Sequence, residues 1–281
     1  GGGRDPKSCS CARTSPKTSR YWQSCWCKGL SRVLITAGGS GIGLAMGHAF
    51  ATAGHQVWVT DINAQAIADI PSDWSGSVLD ASDEQAVQAL FAEIADEWGG
   101  LDVLCANAGI AGPTAKIEDV SLADWQRCVS VNLEGAFLAA KFAAPMMKTA
   151  KSGALILTSS TAGIFGYPNR APYSAAKWAI IGLMKTLAME LGPFGIRANV
   201  ICPGAVEGPR MEGVLEREAA TKNMTRDQVY DGYAAGTSMR CWVEAEDIAN
   251  MALFLGSDAS RRVSGQVIAV DGHTENPDPK V

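Results

Sequence analysis

A doubly wound α/β sheet is the fold this sequence predicts, and three observations carry the expectation. Seven short, largely β-branched runs are separated by helical stretches, the first run leads straight into a glycine-rich turn, and neither linker nor internal repeat divides the chain after Ser31. Short apolar runs alternating with helices make βαβ units, and these build a parallel sheet covered on both faces. The 281 residues suit one undivided domain with a single core.

VLIT at 33–36 is the first strand, and AGGSGIG at 37–43 opens a helix through GLAMGHAFATAG. VWVT at 57–60 is the second strand, followed by Asp61, and SVL at 77–79 is the third, followed by Asp80 and Ala81. DEQAVQALFAEIADEW is an amphipathic helical pattern. DVLC at 102–105 is the fourth strand, and LADWQRCVSVNLEGAFLAAKFAAPMM is a long helical stretch. LILT at 155–158 is the fifth strand, with Ser160 at its end, and APYSAAKWAIIGLMKTL is the next helix. NVI at 199–201 and VIAV at 267–270 complete the seven. Between these two, the segment at about 205–242 exceeds a simple connection and holds two helical stretches, MEGVLEREAATKN and TRDQVYDGYAAG. A long connection at the C-terminal edge of a parallel sheet is expected to be a lid over a ligand crevice.

Composition narrows the function. The net charge of −5 hides an asymmetry: six basic residues face one acid in residues 1–30, whereas the rest of the chain carries 18 basic and 28 acidic side chains. So acidic a body offers no electrostatic footprint for nucleic acid. No apolar run approaches the roughly 18 residues that a membrane span needs. Residues 1–30 lack hydrophobic periodicity, are rich in Arg and Ser, and lack an initiator methionine. An organelle transit peptide or an upstream, non-native extension would both fit, and the segment is expected to be disordered and without function. The folded body is expected over 31–273, with 274–281 a short tail.

Cys9-x-Cys11 and Cys25-x-Cys27 lie in that first segment, but zinc sites favour longer spacings, and no histidine precedes His48. Cys105, Cys128, Cys202 and Cys241 sit in apolar contexts and read as buried thiols of a reducing compartment, which points to the cytoplasm. His48, His55 and His273 form no ligand cluster in the sequence, His48 and His55 reading as surface residues, and no metal is expected.

The chemistry concentrates where Tyr173 and Lys177 stand four residues apart, with Ser160 upstream. On a helix, i and i+4 share a face. A lysine ammonium there favours the phenolate and draws the phenol pKa, ordinarily about 10, toward the range of a general base. Glycines in the turn at 37–43 let backbone approach a pyrophosphate at a helix N-terminus. Asp61 at the end of the second strand can accept hydrogen bonds from ribose hydroxyls and repels a 2′-phosphate. No Arg or Lys occupies 37–43 or 62–63, so NAD is expected rather than NADP.

These motifs, in this order, resemble the short-chain dehydrogenase/reductase family over about residues 31–273. Thr36-Ala37-Gly38-Gly39-Ser40-Gly41-Ile42-Gly43 resembles its TGxxxGxG loop, Ala106-Asn107-Ala108-Gly109 its NNAG, and Pro203-Gly204-Ala205-Val206 its PG motif near the nicotinamide. The resemblance implies a Rossmann fold and a catalytic tetrad of Asn132, Ser160, Tyr173 and Lys177. It implies cofactor contacts from Ala37, Ser40, Gly41, Ile42, Gly43, Asp61, Asp80, Ala81, Asn107, Tyr173, Lys177, Pro203 and Val206. Three positions depart from the pattern. Ala37 replaces a loop glycine, so its turn must avoid positive φ or tolerate strain; Ala106 replaces an asparagine; and Gly208 stands where a threonine often contacts the nicotinamide amide.

Hydride transfer between a nicotinamide and a small polar secondary alcohol (a polyol, sugar or hydroxy acid) is the activity this implies. Tyr173 is the base, Lys177 lowers its pKa and holds ribose hydroxyls, Ser160 orients the substrate oxygen, and Asn132 anchors a water. Arg210 beyond the PG motif could bind a carboxylate or sulfonate, or could pair on the lid surface with Glu207, Glu212 or Glu216. Arg170 and Asn169 raise the same two alternatives. A 3-oxoacyl-carrier-protein reductase would call for NADPH and a basic docking face, and a non-catalytic dinucleotide sensor would have lost Tyr or Lys. Family resemblance implies a homo-oligomer, a tetramer built on the helices containing Phe137 and Lys177.

Overall fold

The computed structural model describes residues 30–278; the first-segment cysteines and the proposed extension, save Leu30, lie outside the described residues. Seven parallel strands form one sheet in the order β3-β2-β1-β4-β5-β6-β7. They are β1 (Arg32–Thr36), β2 (Gln56–Asp61), β3 (Ser75–Val78), β4 (Val103–Ala106), β5 (Gly153–Thr158), β6 (Ile196–Pro203) and β7 (Val267–Val270). Every run read as a strand is one, with boundaries moved by a few residues.

Alternation along the buried strands supplies two cores. Val33, Ile35, Val57 and Val59 face one side, where α1 (Gly41–Thr52) and α9 (Ala245–Gly256) cover them with Met46, Phe50, Ile248 and Leu255. Leu34, Trp58, Leu104, Leu155 and Leu157 face the other. There α3 (Glu84–Trp98), α5 (Gly135–Ala150) and α6 (Ala171–Leu191) contribute Leu90, Phe91, Met147, Ile180 and Met184. The short α2 (Ala64–Ala68), capped by the Asn63 side chain, joins β2 to β3. At one sheet end the Arg32 guanidinium grips Asp102 through Nε at 2.8 Å and Nη2 at 2.9 Å, fixing β1 to the start of β4.

The strand order reverses direction between β1 and β4. Helices after these strands leave to opposite faces, so a crevice opens at their C-terminal ends, the place where doubly wound sheets bind ligands. Asn107 closes its floor: its amide N–H and that of Ala108 donate to Thr36 Oγ1, each at 2.9 Å, and its side chain donates to the Thr36 and Ala37 carbonyls. Ala106 is a buried core residue of β4. The bracing therefore falls to Asn107.

Three expectations need correction. The stretch from Leu122 is not one continuous helix: α4 (Leu122–Val129) gives way to a π-helical turn at Ser130–Glu134 before α5 begins. Cys105, Cys128 and Cys202 are buried, but Cys241 is only partly so. His48 is exposed against Trp74, whereas His55 is half-buried and its Nδ1 accepts from the Ser31 amide at 3.2 Å. Burial holds the His55 pKa below its ordinary value.

The segment expected to form a lid contains α7 (Pro209–Lys222) and α8 (Arg226–Ala235), which pack on each other through Leu215, Ala219, Val229 and Tyr233. Residues 274–278 lie against this pair. Glu275 and Asn276 donate backbone bonds to the Gly236 carbonyl at 2.9 and 3.0 Å, and Lys222 bridges Glu218 and Asp278, each at 2.6 Å. No described helix is long and apolar enough to cross a membrane.

Candidate active site

The glycine-rich turn is built by close approach of backbone to backbone. A Cβ on Gly43 would strike the Ala37 carbonyl oxygen, so only glycine lets α1 start so close to β1. Ala37 itself has φ of +51°. Of the two outcomes left open for it, the chain takes strain, a left-handed residue costing about 1–2 kcal/mol when a Cβ is present. Ser40 caps α1 without a side-chain cap bond, and among the described residues the first-turn N–H groups have no protein partner. Together with Gly41 and Ile42, Ser40 borders the cleft.

Asp61 lies across that turn. Its Oδ2 accepts from the Gly39 amide at 3.2 Å and its Oδ1 from Asn63 at 3.0 Å, which aims the carboxylate along the cleft edge. Asp80 is engaged more fully, accepting from the Ser82 hydroxyl at 2.6 Å, its amide at 2.9 Å and Arg127 at 3.1 Å. Burial works against the Asp80 charge, but these donors outweigh it and hold the carboxyl below the usual range. Arg127 was not singled out in the sequence; its partner lies 47 positions away.

One cavity of about 490 Å³ joins these residues to Ser160, Tyr173 and Lys177. Ala37, Ser40, Gly41, Ile42, Asp61, Asp80, Ala81 and Asn107 border it at one end; Pro203, Val206, Ser160, Tyr173, Lys177 and Arg210 border it at the other. Two of the named residues lie behind the wall: Gly43 in the helix start and Asn132 in the π turn, 0% exposed. The cavity also takes in Arg170, for which the sequence left a substrate contact open, and Tyr167 and Tyr233, which composition and spacing gave no reason to place there.

At the Tyr173 end of the cavity, the helical spacing does what i and i+4 require. Lys177 Nζ lies 5.6 Å from the Tyr173 ring centroid and donates to the Thr158 carbonyl at 2.9 Å. Burial alone would push the phenol pKa up. The charges of Lys177, Arg210 and Arg170, with a hydrogen bond from Ser160, outweigh it and hold the phenol below its ordinary value. Burial likewise draws the Lys177 pKa down. Asn132 donates its Nδ2 to the Ile110 and Cys128 carbonyls at 3.0 and 2.9 Å, which leaves its Oδ1 buried without a partner. A Cβ placed on Gly109 would sit 2.6 Å from that oxygen and 3.3 Å from Lys177 Nζ, so both polar atoms border one gap. The π turn positions this oxygen; a regular helix would rotate it elsewhere.

Gly208, the departure near the nicotinamide end, has φ of +141° and begins α7. A threonine would be strained there. Among the described residues, no three His, Cys, Asp or Glu side chains gather as a metal-binding group. The donor set instead fits a dinucleotide: free helix N–H groups and a side-chain-free turn for a pyrophosphate, a strand-end carboxylate for a ribose, and a phenol beside an ammonium where a nicotinamide ribose would end.

A family model described as enoyl-(acyl carrier protein) reductase matches residues 36–273. The chain belongs to the short-chain dehydrogenase/reductase family. It is 33% identical over 249 residues to a D-beta-hydroxybutyrate dehydrogenase of Rhizobium meliloti (strain 1021), covering 85% of this chain and 96% of that one. It is 35% identical over 252 residues to a trans-4-hydroxycyclohexanecarboxylate dehydrogenase of Sinomonas cyclohexanicum, covering 85% and 90%. Among solved structures, that of an NAD+-bound xylitol dehydrogenase superposes with a TM-score of 0.83 at 29% identity, covering 86% of this chain and 98% of that one. As a short-chain dehydrogenase/reductase, the chain is an oxidoreductase acting on CH–OH groups with a nicotinamide cofactor.

Proposed function

We propose that the chain oxidises a small polar secondary alcohol with NAD+, with Tyr173 as general base, and as general acid in the reverse direction. The observation that carries this reading is the Tyr173 phenol, bordering the cavity with Lys177 beneath it and its pKa lowered by surrounding cations. When bound, the nicotinamide supplies the hydride acceptor. Ser160 orients the carbinol oxygen and stabilises charge developing on it. Tyr173 takes the hydroxyl proton. Lys177 keeps the phenol acidic and holds ribose hydroxyls. The orphan Oδ1 of Asn132 and the gap it shares with Lys177 suit one bridging water through which the proton leaves.

Asp61 supports NAD: a carboxylate at the cleft edge with no arginine or lysine in the turn disfavours a 2′-phosphate. The NAD+-bound xylitol dehydrogenase agrees. The names of the relatives, two hydroxycarboxylate dehydrogenases and a polyol dehydrogenase, support a polar secondary alcohol. α7 and α8 would act as the lid over that alcohol. The buried thiols of Cys105, Cys128 and Cys202 fit a reducing, cytoplasmic setting.

A screen of polyols, sugars and hydroxy acids, read by NADH absorbance, tests the reading. NAD+-dependent turnover of a member of the panel is expected, with kcat/KM for NAD+ exceeding that for NADP+. A ratio favouring NADP+ would remove Asp61 from its assigned role, and no turnover of any alcohol would remove the whole assignment.

A further inference from the structure

Among the described residues, Arg170 is a buried cation without an anion. It caps the start of α6, is 9% exposed, and its guanidinium carbon lies 4.8 Å from the Tyr173 ring centroid. Nη2 donates to the Ala111 carbonyl at 3.2 Å, and Nε has no hydrogen-bond partner. Burying a guanidinium is costly unless an anion pairs with it. Three acids of the neighbouring lid segment are committed elsewhere: Glu218 to Lys222 and the Tyr233 hydroxyl, Glu207 to the Tyr230 hydroxyl, and Glu212 to Arg226.

Arg210 borders the same cavity from the first turn of α7. The alternative reading, a surface arginine paired with Glu207, Glu212 or Glu216, finds no such ion pair among the described residues, and two of those acids hold other partners. The α7 N-terminus adds its positive dipole end to the same wall. Around the two arginines, Ile110, Ala111, Met211 and Val214 supply apolar surface for a short carbon skeleton.

We propose that Arg170 and Arg210 together bind the carboxylate of a short hydroxy acid whose carbinol lies against Tyr173. This rests on the dehydrogenase reading above and narrows it from polar alcohols to hydroxycarboxylates. Arg170 lies on the Tyr173 ring, so the carboxylate it pairs with is only a few bonds from the carbon that is oxidised. In the reaction the carbinol C–H bond breaks with its electron pair passing to the nicotinamide. The O–H proton passes to Tyr173 and out to solvent. The product is the oxo acid, and the carboxylate leaves unchanged.

The experiment pairs each of a panel of short hydroxycarboxylates, open-chain and cyclic, with its own primary amide. The kcat/KM ratio of acid to amide is measured in the native enzyme, in Arg170→Gln and in Arg210→Gln. The native ratio is expected to favour the acid by roughly 10- to 100-fold, and each variant to collapse most of that preference. Arg210 is exposed, so its variant keeps the test valid if Arg170→Gln fails to fold. Equal use of acid and amide, or a ratio unmoved in a folded variant, overturns the clamp while leaving the dehydrogenase reading intact. The hydroxycarboxylates are also titrated calorimetrically into NAD+-saturated protein. Binding without turnover would keep the clamp and sink the dehydrogenase reading; neither binding nor turnover overturns the clamp.

Discussion

A phenol is a poor base at neutral pH, and the environment of Tyr173 shows what it takes to change that. Three cations, Lys177, Arg210 and Arg170, act on one oxygen against the resistance of burial. Tyr173→Phe is expected to lower kcat by at least about 10²- to 10⁴-fold, the span of general acid–base catalysis, while NAD+ binding followed by fluorescence titration persists. Substantial residual turnover would exclude Tyr173 as the base. The active form in oxidation is the phenolate, so kcat should rise with pH through the Tyr173 pKa, with a midpoint below the ordinary phenol value. A rise centred at or above the ordinary phenol value would mean that the cations do not outweigh burial. Tyr173, Lys177, Ser160 and Asn132 were legible because fixed spacing and neighbouring motifs identify them. Arg127 was not, because the acid that defines it lies far upstream; Arg170 was legible only as one of two alternatives, because the lack of a paired acid among the described residues shows only in the fold.

Elements divide in the same way. All seven strands could be read because β-branched runs buried on both faces have few alternatives. The π turn at Ser130–Glu134 could not, because it alters one hydrogen-bond register within a continuous helical pattern. Nor could the attachment of the chain end, which depends on Lys222 and Gly236 meeting residues far along the sequence. That attachment carries a prediction. Deleting residues 276–281 removes the Lys222–Asp278 pair and the Asn276 bond to Gly236, and so loosens α7 and α8. KM for the alcohol is expected to rise roughly 3- to 10-fold, with kcat changed less. An unchanged KM would show that the chain end has no hold on the substrate wall.

For the molecule as a whole, the sheet fixes the site and the helices leave a surface to cover. α5 and α6 present Phe137, Trp178 at 51% exposed and Met189 at 81% exposed on their outer faces. Large apolar side chains at such exposure suit burial against another copy, and a homotetramer built on these two helices is the state we expect. Static light scattering at micromolar concentration checks it; a monomeric mass would refute it. The sequence already implied this face, since the apolar residues of AAKWAIIGLMKTLAMEL exceed what one sheet face can bury. The substrate end was the least legible part, because α7 and α8 meet the sheet only through the tertiary fold.

The guanidinium resting on the Tyr173 ring ties two properties that an enzyme engineer would wish to vary separately. Arg170 and Arg210 help to keep the phenol acidic, and an anion seated on them cancels part of that help. Each substrate therefore sets its own pH optimum, with charged ones shifting it upward relative to neutral ones. Replacing either arginine to admit an uncharged alcohol would also weaken the acidity on which proton removal depends. Retargeting this pocket means rebuilding the base along with the specificity.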